Sequence, residues 1–104
     1  MPEIFASRTF EIGGQAVECR FHKPERDGID YSCQYEIDWP SAPVTKRAFG
    51  VDQVQALLMA MQKAHVELLH ARDAKAMTVT WLEDENLSLP IPENVKDWAP
   101  KNLF

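Results

Sequence analysis

His22, His65 and His70 are the side chains of this 104-residue chain best suited to metal binding or proton transfer near neutral pH. Two metal ligands on one helix must stand three or four residues apart. His65 and His70 are five apart and diverge by roughly 140°. His22 lies among the alternating residues of a strand, with no second ligand at metal spacing. The chain contains no CxxC, HxH or HExxH, no Gly-rich phosphate loop, no GxSxG and no strand followed by GxGxxG. The common zinc, nucleotide-binding and serine-hydrolase classes are therefore disfavoured. No catalytic residue, metal or cofactor is assigned, and the reading leans away from an enzyme.

His65 is the residue that fits its surroundings least, a polar group midway along an apolar helix stripe between Met61 and Leu68. Read as structure, it is a neutral core histidine hydrogen-bonded to the sheet. Read as function, it lines a pocket between helix and sheet together with Arg8, Tyr35 and Trp81. A second place for chemistry is a polar sheet face carrying Glu11, Glu18, Arg20, His22, Gln34, Glu36, Asp38 and Arg47. General acid–base work there needs a cleft that excludes water, and an open antiparallel face is ordinarily solvated. A third is the apolar tail, where Trp98 and Phe104 are candidates for an interaction surface.

The elements that position these groups follow from periodicity. Ile4 to Ile12 and Gln15 to His22 alternate as strands around Gly13-Gly14, a pair able to take the positive φ of a primed hairpin turn. A two-residue turn sets Ile12 opposite Gln15, Phe10 opposite Val17 and Arg8 opposite Cys19, so Arg8 points to the apolar side. Tyr31 to Trp39 alternates over its whole length, and Val44 to Phe49 is a short fourth strand. Asp52 caps a helix running to about Arg72. Val54, Leu57, Leu58, Met61, His65, Leu68 and Leu69 form its expected core stripe, with Ala56, Ala60, Lys63, Glu67 and His70 on the solvated side. Met77 to Leu82 is a last strand, and Pro92 to Trp98 can form a helical turn or two. The order β-β-β-β-α-β predicts an α+β fold, a single mainly antiparallel sheet with one long helix on one face. Residues 4–82 form the core of a single domain, and 83–104 pack back on it.

Cys19 and Cys33 read as reduced core thiols that a hairpin could bring together. The net charge is −5, of which residues 83–104 contribute −3, and no basic cluster exceeds Lys46-Arg47. That balance argues against nucleic acid and against anionic membranes. No apolar run approaches a bilayer span and no secretory signal is visible, so a cytoplasmic location is expected.

At Ala48-Phe49-Gly50-Val51-Asp52-Gln53-Val54-Gln55-Ala56-Leu57-Leu58 the chain resembles a family of small bacterial proteins of unknown function, domain-of-unknown-function family 6968. Tyr31 to Ile37 and Thr78 to Leu82 agree with it too. The resemblance implies a stand-alone bacterial domain and carries no activity. Small size, acidic surface and the missing catalytic motifs favour a non-catalytic protein-interaction module, an inhibitor like an immunity protein or antitoxin. The alternative is a small-molecule-binding protein or minor enzyme with a pocket between helix and sheet. Either is compatible with a homodimer through an edge strand or the tail.

Overall fold

The computed structural model describes residues 3–98. Strands β1 (Ile4–Ile12) and β2 (Gln15–His22) make a hairpin across Gly13-Gly14, whose φ angles are 58° and 81°. Its register is the one that alternation dictates, with Phe10 opposite Val17 and Arg8 opposite Cys19. Between β2 and the long strand expected from Tyr31 the chain forms one further strand that the order β-β-β-β-α-β did not include. Beyond Lys23-Pro24 the chain resumes as β3 (Glu25–Asp27), turns at Gly28-Ile29 and returns as β4 (Asp30–Ile37). Proline has no amide to give the ladder, which accounts for the break.

Strand β5 (Val44–Gly50) pairs along β4 from Tyr31 opposite Gly50 to Ile37 opposite Val44. Helix α1 (Gln53–Ala74) carries the chain back across the sheet to β6 (Val79–Thr80), which pairs with β1. The spatial order is β5-β4-β2-β1-β6, with β3 prolonging β2 along β4, and every pair is antiparallel. This is the α+β layer design predicted, with the helix lying mainly over β4 and β5.

The start of the helix follows simple capping chemistry. Asp52 accepts from the Gln55 amide at 2.8 Å, and the Gln55 side chain accepts from the Val51 amide at 2.8 Å. Its core face differs from expectation. Val54 and Leu58 are 75% and 36% exposed, whereas Ala56, Ala60, Ala64 and Ala71 are buried. The stripe is thus rotated in the first half of the helix, and only later do His65, Leu68 and Leu69 enter the core as predicted. The cause lies beneath the first turn. A Cβ placed on Gly50 would stand 2.4 Å from the Ala56 nitrogen and 2.9 Å from its Cα. At that separation only small side chains fit between helix and strand, and the larger Val54 and Leu58 are turned outward.

Cys19 and Cys33 are both buried and free. Cys19 faces Ile37 across the ladder, four residues along β4 from Cys33, a separation of roughly 13 Å. A disulfide needs Cα atoms within about 7 Å, so these two cannot bridge. Burial pushes both thiols up, to about 12 and about 11, and they stay protonated.

Gly50→Ala is expected to destabilise the fold by about 2–3 kcal/mol, because the added methyl meets backbone that has no rotamer to escape into. Urea denaturation of the two proteins measures it; a change below about 0.5 kcal/mol would show that the helix can lift freely.

Candidate functional site

Beyond β6, a tight turn at Leu82-Glu83 is closed by reciprocal 2.9 Å backbone bonds between Trp81 and Asp84. Both turn residues take positive φ, 51° and 66°. The chain then runs as an irregular strap whose Leu87 and Leu89 side chains join the core. Three side chains hold this strap by its carbonyls. Arg72 donates to Val79 O and Glu85 O, each at 2.7 Å. Arg8 donates to Leu87 O at 2.9 Å and Ser88 O at 2.8 Å. His65 Nδ1 lies 2.9 Å from Pro90 O.

A carbonyl only accepts, so His65 carries a proton on Nδ1, and among the described residues its buried Nε2 has no hydrogen-bond partner. Burial above all holds the imidazole below its ordinary pKa, and Arg72 acts in the same direction. Arg8 also stands over the Trp81 ring, 4.0 Å from its centroid, a cation–π contact. Arg8 and Trp81 are therefore brought together, while His65 is engaged with the same strap further along. All three contacts are ones that a structural role explains.

Tyr35, the remaining member of that quartet, points elsewhere. It is fully buried, and its hydroxyl donates to Glu67 Oε2 at 2.5 Å. Burial, then this bond, push the phenol far above its ordinary range, so it remains a donor. Lys46 donates to Glu67 Oε1 at 2.8 Å. The Tyr35–Glu67–Lys46 chain sits where two hollows adjoin on the helix side of the sheet. One, of about 740 Å³, lies among Trp39, Val44, Met77 and Trp98; the other, of about 430 Å³, lies among Tyr35, Met59 and Pro92. Lys46, Val66 and Glu67 line both. Trp98, at the end of the 3-10 turn Glu93–Trp98, thus borders the larger hollow; Phe104 lies outside the described residues. Glu67 was placed on the solvated helix face by sequence. The usable signal was its spacing from Ala60, Ala64 and Ala71, which puts it on the edge of the alanine face.

The opposite sheet face is covered by neither helix nor strap. At its centre Arg20 binds three carboxylates: Glu18 at 2.9 Å, Glu36 at 2.8 Å and Asp38 at 2.7 Å. These bonds hold Glu36 and Asp38 below the usual carboxylate range, so both stay ionised well into acid. His22, deeply buried, hydrogen-bonds the second oxygen of Glu36. Toward β5 the same face carries Phe49, 55% exposed. Among the described residues no three His, Cys, Asp or Glu side chains are grouped to hold a metal, and no helix is long and apolar enough to cross a membrane.

The family model described as "Domain of unknown function (DUF6968)" matches residues 6–91, and the chain belongs to that family. No curated protein and no solved structure matches it.

His65 supplies a pH test. Its folded pKa is depressed, so below about pH 6.5 the unfolded chain binds the proton more readily and stability falls with pH. Thermal melts at pH 7.5 and pH 5.5 should show a loss in the wild type that is smaller in His65→Gln; equal losses would assign the effect to other groups.

Proposed function

We propose that this chain is a non-catalytic protein-interaction module of the bacterial cytoplasm, an inhibitor of the immunity or antitoxin kind that covers a basic partner with the open face of its sheet. The observation that supports this reading is the cluster around Arg20. Glu18, Glu36 and Asp38 outnumber the single guanidinium that holds them, and their geometry is fixed by five hydrogen bonds. A preorganised surplus of negative charge speeds encounter with a basic surface and loses little side-chain freedom on docking. Phe49 adds an apolar contact at the rim of the same face, of the kind that interfaces bury. The free, buried thiols fit a reducing compartment.

The experiment is affinity capture with the tagged chain, identification of the retained protein by mass spectrometry, and calorimetry on the reconstituted pair. The expected partner is basic, and its affinity falls steeply with salt and by about tenfold or more in Glu18→Lys. Glu18 is the most exposed acid of the cluster, so this reversal spares the fold. A partner that binds the variant equally well, or one that is acidic, overturns the proposal.

A further inference from the structure

On the helix side, the joined hollows beside Glu67 have a composition that the open-face reading does not use. Their walls are largely apolar, broken by Ser41, Gln62 and His70, and among the described residues the charged groups along them are Lys46, Lys63, Lys75 and one acid, Glu67. Three lysines against one carboxylate make this stretch positive in a chain of net charge −5. Glu67 offers little to a cation from outside, since its oxygens already accept from Tyr35 and Lys46. Lys46 gives Glu67 one of three ammonium donors, and its side chain is 47% exposed. Lys75 has no ion pair among the described residues. The volumes, about 740 and 430 Å³, are those of clefts that hold small molecules.

We infer that this trough binds a small organic anion with an apolar body, an alkyl carboxylate of medium chain length. Its chain lies along Trp39, Val66, Met77 and Trp98, and its carboxylate is received by Lys46 and Lys75. Tyr35 and Glu67 fix the Lys46 ammonium at the seam, where the apolar walls and the positive charge meet. Because the trough and the acidic face lie on opposite sides of the sheet, neither proposal depends on the other.

The test is titration of the full chain with decanoate, decanol and decylamine, read by tryptophan fluorescence and calorimetry. Decanoate is expected to saturate at one molecule per chain, and the neutral and cationic analogues to bind about tenfold more weakly or worse. Lys75→Gln, at an exposed position with no ion pair among the described residues, should weaken decanoate by about threefold to tenfold while leaving decanol unchanged. Lys46→Gln should do the same more strongly, with circular dichroism checking its fold. Equal binding of decanol or decylamine, an unchanged decanoate affinity in Lys75→Gln, or no saturation below about 1 mM overturns the inference.

Discussion

The closeness of helix to sheet at Gly50 governs much of what else this molecule does. Backbone meets backbone there, with Ala56 lying where a side chain on Gly50 would have to go. Ala60 and Ala64 continue the same narrow seam, and Ala48 and Cys33 answer it from the sheet. A seam of such small groups gains less from each side chain than a leucine stripe would, and it depends on shape more than on bulk. It also fixes the helix over β4 and β5, toward one edge of the sheet.

That offset has two results. Over β1 the apolar face of the sheet needs another cover, which the strap supplies through Leu87 and Leu89. A strap without regular structure leaves its carbonyls without ladder partners, and Arg8, His65 and Arg72 satisfy those of Leu87, Ser88, Pro90 and Glu85. Along the other side of the helix the trough lies open beside Trp39 and Met77, with Glu67 at its seam. One packing constraint thus sets the positions of both the polar clamp and the apolar hollow.

How much of this was legible depended on range. Period-two alternation and Gly13-Gly14 fixed the first hairpin from Ala6 to Ile12, and with it the placement of Arg8 on the apolar side; the register shift between Ile4 and Ala6 left no local signal. The helix position was legible from Asp52, and so was the burial of His65, Leu68 and Leu69, but the buried face of its first half was not. Hydrophobicity ranks Val54 and Leu58 above alanine, and nothing local reveals that the strand beneath is close enough to exclude them. Glu67 was hidden for a related reason, because its partner Tyr35 lies 32 residues away and a charged helix residue reads as solvated. For His65 the neutral, core reading matches the hydrogen bond to Pro90, although its acceptor is strap rather than sheet. The Arg20 cluster was legible as a polar face and not as a cluster, since its order comes from pairing β2 with β4.

The strap has a consequence for biosynthesis. Its two core leucines are translated after the hairpin, the central strands and the helix that they complete. While the ribosome is still adding residues beyond β6, the buried core lacks Leu87 and Leu89, and Arg8 lacks the strap carbonyls that it will hold. The nascent chain therefore passes through a stage with a nearly finished sheet and an uncovered apolar flank, the kind of surface that chaperones hold. Closure comes only when Arg8 captures carbonyls made 79 and 80 residues after it.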